Sequence, residues 1–169
     1  MKTVLKQFVP SSVCLQCDGC CRFKDEKSPW RPRLGKVDVN ELALQLTDSS
    51  VDDRAYLNTI QECGRHFCQF FRSSDSSCRV YEQRPFECSL YPFILSKVEG
   101  KVKVYVHLAC PYVQDHQDKQ VDEYGAYLRE LLNQTATQEF LTRNQDLFHD
   151  YTSFEIELKY LFDIEGLIL

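Results

Sequence analysis

Four cysteines within eight residues constrain this chain more than any other feature. Cys14-Leu15-Gln16-Cys17-Asp18-Gly19-Cys20-Cys21 reads C-x2-C-x2-C-C. The intervening residues are polar and include a glycine, so the thiols cannot all be core hydrophobes. Two thiolates spaced by two residues reach one metal ion, and a third at the same step reaches one face of a cluster. Cys20 and Cys21 are adjacent, so their side chains leave the backbone in different directions. One of them is expected to serve the local site and the other a second site or a remote set of ligands. A disulfide framework is the competing reading, and it requires an oxidising compartment.

The chain offers no sign of one. Its 169 residues suffice for one domain with a proper core, and 43% hydrophobic and 27% charged residues are ordinary globular composition. Residues 1–10 lack the apolar run of a signal peptide, and no stretch approaches the roughly 18 apolar residues that span a bilayer. The expectation is a soluble, cytoplasmic protein with no membrane partner, in which nine cysteines argue for metal ligation. Net charge is −5, unevenly spread: residues 1–112 hold 16 basic and 13 acidic side chains, residues 113–169 hold 4 and 12. A four-thiolate zinc or [4Fe–4S] site carries a formal charge of about −2, which neighbouring Arg and Lys offset. That accounts for the basic residues better than a nucleic-acid surface does; a protein partner is left open.

Along the chain, Arg22 to Lys36 holds six basic residues with Phe23 and Trp30 among them. Such interleaving can bind single strands, but a loop packing Trp30 over the metal site is preferred. Asn40–Leu46 reads as a short helix capped by Asn40, and about Asp52–Glu62 as a second, with Ala55, Tyr56 and Ile60 apolar and Cys63-Gly64 at its end. Cys63 is then a small buried residue outside the ligand set. Cys68, Cys78 and Cys88 follow in steps of ten, with a hairpin-like Ser/Asp turn between the first two. Arg84-Pro85 should open a helical turn and Tyr91-Pro92 close it. Residues 93–108 read as a β-hairpin about Glu99-Gly100-Lys101, delivering the chain to Cys110-Pro111. Helices are expected over about Gln114–Asn133 (Val121, Tyr124, Leu128, Leu131 and Leu132 inward) and Ala136–Phe148 (Phe140, Leu141 and Leu147 inward). At the end, alternation of Phe154, Ile156, Leu158 and Tyr160 favours a strand over a helix.

The C-x2-C-x2-C run copies the first three ligand positions of a bacterial-type ferredoxin, and Cys110-Pro111 resembles its final Cys-Pro, displaced by ninety residues. No second C-x2-C makes a zinc ribbon. Spacing therefore specifies a thiolate metal centre without choosing the metal. Histidines 66 and 107, near Cys68 and Cys110, are either replacement ligands or hydrogen-bond neighbours. Arg84 is expected to bond a sulfur or a backbone carbonyl, and Tyr81 and Tyr91 to pack around the metal. No Ser-His-Asp order, phosphate-cradling glycine loop or paired-carboxylate motif appears.

Cys14-x2-Cys17-x2-Cys20-Cys21, Cys68, Cys78-x2-Tyr81-x2-Arg84-Pro85-x2-Cys88-x2-Tyr91-Pro92-Phe93 and Cys110-Pro111 together resemble the YkgJ-like cysteine-cluster family (CxxCxxCC), described as a zinc- or iron-chelating domain. The resemblance covers roughly residues 14–112 and implies eight ligands: Cys14, Cys17, Cys20, Cys21, Cys68, Cys78, Cys88 and Cys110. The expected cofactor is an iron–sulfur cluster of the [4Fe–4S] type or zinc, with iron–sulfur slightly ahead. One branch, the flagellin lysine N-methylases, offers an alternative as a small protein-modifying enzyme. The whole is read as a single α+β domain: a cysteine-cluster metal-binding part over 14–112 with a hairpin and short helices, and a helical acidic part over 113–169. Sulfurs of the two cysteine blocks are expected to converge within about 7 Å, as shared ligands bonded at about 2.3 Å require, and metal is expected to hold residues 14–112 folded.

Overall fold

A computed structural model describes residues 5–116, 119–154 and 157–168. The fold is α+β, with three small antiparallel sheets. Contacts divide the chain into two compact units, residues 9–89 and residues 1–8 with 90–169.

The first unit opens on a single helical turn, α1 (Ser11–Cys14), begun by Pro10, whose carbonyl accepts from the Val13 and Cys14 N–H groups. A 3-10 turn over Gly19–Cys21 feeds β1 (Arg22–Phe23). Then come α2 (Lys36–Glu41), β2 (Thr59–Glu62), β3 (Arg65–Cys68), β4 (Phe71–Arg72), β5 (Ser77–Cys78) and α3 (Phe86–Leu90), whose last residue belongs to the other unit. β3 lies between β1 and β2, and β4 pairs β5. Phe23, Leu34, Leu42, Leu57, Phe67, Phe70, Phe71 and Val80 form a buried core that includes Cys68; Cys21, Trp30 and Cys78 pack on its edge.

Residues 52–62 are thus not the expected helix. Thr59-Ile60 and Gln61-Glu62 run as β2, and Cys63-Gly64 is the two-residue turn of a hairpin, with φ of +49° and +74°. Positive φ at both central residues matches the twist of antiparallel strands. Glycine here serves a hairpin, not a helix end, and Cys63 is exposed rather than buried. The other early helix begins at Lys36, four residues before Asn40. Asp38, at its third position, accepts from the Gly35 N–H at 2.9 Å, so the cap signal is Gly-x-x-Asp.

The loops of this unit are tied by buried charges. Asp38, 1% exposed, also accepts from the Phe86 N–H at 2.9 Å, joining α2 to α3. Glu87 accepts from the Arg33 N–H at 2.7 Å. Arg31, 3% exposed, donates to the Ser28 and Leu57 carbonyls and to Asp52 at 2.9 Å. Removing Asp52 would leave the buried Arg31 guanidinium without its carboxylate.

The second unit is a meander, β6 (Phe93–Val98), β7 (Lys101–His107) and β8 (Leu158–Ile168), with α4 (Pro111–Asp115), α5 (Lys119–Leu132) and α6 (Thr135–Arg143) between its last strands. The expected hairpin is present, turning at Glu99 and Gly100, both at positive φ. Val102, Val104 and Val106 are fully buried while Lys103, Tyr105 and His107 are not, as an alternating strand requires. α5 buries Val121, Tyr124, Leu128 and Leu132, and α6 buries Phe140 and Leu141, as expected; Leu131 is half-buried, and the long helix begins as the separate turn α4. Leu147 is buried in a 3-10 turn beyond α6. The last strand exists but lies later than its pattern placed it. Its buried residues are Phe162, Ile164 and Leu167, whereas Tyr160 is 52% exposed. Ile156 lies outside the described residues, and the register between β7 and β8 shifts past Val104.

Candidate metal centre

Strand pairing brings the two cysteine blocks together. β1 meets β3 with Arg22 opposite Phe67 and Phe23 opposite His66. One step further along the same antiparallel register, Cys21 falls beside Cys68. The second hairpin sets Cys78 opposite Phe71, three residues beyond Cys68. α3 carries Cys88 one turn after the Arg84-Pro85 opening, where the Ser89 N–H bonds the Pro85 carbonyl at 2.9 Å.

The thiols feel one another directly. Cys20 lies within electrostatic reach of Cys14, Cys68, Cys78 and Cys88, and Cys21 within reach of Cys68 and Cys88. Cys20 and Cys21 are hydrogen-bonded to each other. Cys17 is coupled to Cys14 and accepts from the Gly19 N–H at 3.3 Å. A Cβ at Gly19 would stand 3.4 Å from that sulfur, so glycine keeps the bond unobstructed. Seven of the eight expected ligands therefore share one neighbourhood. Among the described residues, no three potential ligands stand at the spacing of a formed coordination shell.

Burial dominates the acid–base behaviour. It pushes Cys14 up to about 11 and Cys68 up to about 12, and raises Cys78 and, well above its ordinary value, Cys88. Neighbouring thiolates add to the rise by repulsion. In the adjacent pair, the hydrogen bond from Cys21 pulls Cys20 down and in return raises Cys21. Cys20 is exposed as a residue, although burial of its thiol works against the charged form.

Several groups oppose these costs. Backbone N–H groups two residues on bond three of the sulfurs: Gly19 to Cys17, Phe70 to Cys68 and Val80 to Cys78, with Phe71 also on Cys68. Those on Cys68 and Cys78 favour the thiolate over the thiol. Tyr81 hydrogen-bonds Cys14, and Arg84 draws down Cys14, Cys20 and Cys78. Arg84 is held by the Tyr81 carbonyl at 2.9 Å and by the Tyr81 ring at 4.1 Å, the carbonyl partner its sequence position anticipated. Trp30 packs against the core cluster that contains Cys68.

Cys110 stands in the other unit, buried at the head of α4. Its N–H bonds the His107 carbonyl at 3.4 Å. His107 meets the Tyr91 hydroxyl through Nδ1 at 3.0 Å, and burial lowers its pKa, so it is a neutral imidazole with a phenol partner. His66 is half-buried on β3, opposite Phe23. Sequence reasoning did not single out the positioning residues Arg31, Asp38 and Glu87, because the partners that tie the loops together, Asp52, Phe86 and Arg33, are distant in the chain.

The donor set fits a soft metal. Thiolates select zinc, copper(I) or iron–sulfur centres over hard cations, and the oriented N–H groups are the outer support such sulfurs need. A family model whose description reads "CxxCxxCC: Putative zinc- or iron-chelating domain" matches residues 13–126. No curated protein and no solved structure matches the chain.

Proposed function

We propose, from the premise that the chain belongs to the CxxCxxCC family, that it is a cytoplasmic protein holding one iron–sulfur cluster, of the [4Fe–4S] type, with thiolates from both cysteine blocks. The meeting of the two blocks carries the reading. Cys20 and Cys21 lie within electrostatic reach of Cys68 and Cys88, so thiols distant in the chain can serve one centre, and the C-x2-C-x2-C run copies the ligand spacing of a ferredoxin-type cluster. Arg84 is the cation shared by Cys14, Cys20 and Cys78, and Arg79 stands beside Cys78. Ligands are drawn from Cys14, Cys17, Cys20, Cys21, Cys68, Cys78 and Cys88, with Cys110 as the eighth candidate. The cluster would supply one-electron chemistry or structural bracing. The protein's own part is to orient N–H donors at the sulfurs and to neutralise their charge with Arg84.

Substitution in each block tests this. Cys17→Ala and Cys78→Ala are each expected to abolish all cluster-bound iron and sulfide after anaerobic reconstitution. Retention of half the metal in either variant means separate sites and overturns the reading.

A further inference from the structure

Beside the cysteine cluster, an open groove is lined by Arg22, Phe23, Lys24, Gly64 and Arg65. It runs between β1 and the tip of the β2–β3 hairpin. Arg22 follows Cys21 directly in the chain, so one end of the groove lies one residue from the cluster. All three cations are exposed. Arg22 is paired to Asp18 at 3.2 Å across a half-open surface, an arrangement that holds it loosely. Among the described residues no ion pair engages Lys24 or Arg65, although Glu62 lies opposite Arg65 in the hairpin. The turn at Gly64 leaves open space where a side chain would stand.

We propose that this groove docks a short acidic segment of a protein partner, placing that partner alongside the cysteine cluster. Three cations converging on one concavity raise the local concentration of anionic groups. A nucleic acid fits less well. Phe23 is 6% exposed and offers no face for base stacking. Asp25, Glu26 and Glu62 flank the cations and would repel a continuous phosphate backbone, whereas discrete carboxylates can be spaced between them. The docking surface is independent of which metal the thiols hold.

Fluorescence anisotropy of the full, metal-loaded chain with a labelled Asp/Glu-rich peptide at low ionic strength tests this. Binding is expected to weaken as salt rises. Lys24→Glu with Arg65→Glu should lose about tenfold or more in affinity at unchanged metal content. Lys119→Glu with Arg143→Glu, an equal change of net charge on α5 and α6, should not. Equal loss in both variants, no binding by the wild type, or tighter binding of a labelled single-stranded oligonucleotide of the same charge overturns the proposal. Metal content is measured separately, so failure of the cluster reading leaves this result interpretable.

Discussion

At the scale of single residues, nine cysteines are not equivalent. Cys20 sits among five other thiols, while Cys63 is exposed on a hairpin turn. Cys20→Ala is therefore expected to lose the metal and Cys63→Ser to keep it, read by iron per protein chain. Arg84 gives a graded version. Arg84→Gln removes the charge that draws down Cys14, Cys20 and Cys78, so metal loading should require a higher pH. Arg84→Lys keeps the charge but loses the planar fork on the Tyr81 carbonyl and ring and should shift loading less. Identical loading curves for all three proteins contradict this role. The set of eight rests on the family resemblance, whereas the C-x2-C-x2-C-C run was legible in the sequence because its spacing is local. Arg31 and Asp38 were not: nothing near them in the chain reveals that one buries its charge against Asp52 and the other ties Gly35 to Phe86.

At the scale of elements, the β1–β3 register places Cys21 beside Cys68, and the stacked Phe67–Phe71 pair, 5.0 Å between ring centres, belongs to the buried core that includes Cys68. Phe67→Ala should cost about 3–5 kcal/mol, seen as a lower melting temperature, and loosen metal binding with it. An unchanged metal affinity would separate the register from the site. Alternating valines made β7 legible, and 3.6-residue periodicity made α5 and α6 legible. The β2–β3 hairpin was misread because Ala55, Tyr56 and Ile60 also suit a helical face, and a glycine after an apolar run ends helices and turns hairpins alike. Thr59-Ile60 before the turn was the β-branched signal that favoured strand. The final strand was found as an element but misplaced, because its amphipathic alternation starts before the segment that actually pairs with β7.

For the molecule as a whole, metal removal and pH act in linked ways. In the metal-free protein, burial raises Cys14 to about 11 and Cys68 to about 12, from an ordinary 9.0. A raised folded-state pKa stabilises while the thiol is neutral, fully below 9.0, and the stabilisation disappears as pH climbs through 11 to 12. The chelated, reduced protein should thus melt at progressively lower temperature above pH 9.0; a melting temperature that rises there contradicts the burial of neutral thiols. Metal binding runs the other way, since protons must leave the sulfurs, and should tighten with pH. Removal should also be felt unevenly. Residues 9–89 are joined by short strands and turns around the thiols, whereas residues 90–169 close their own core of valines, Phe93, Leu128 and Leu141. Hydrogen exchange is expected to lose protection in residues 14–88 and retain it in β6 and β7.

The central claim is that these thiols hold a polynuclear iron–sulfur centre. Its most direct test is the absorption spectrum of the anaerobically purified full chain, with iron, sulfide and zinc determined on the same sample. The account expects a brown protein with broad visible charge-transfer absorption and iron matched by acid-labile sulfide. A colourless protein carrying zinc in place of iron and sulfide would contradict it.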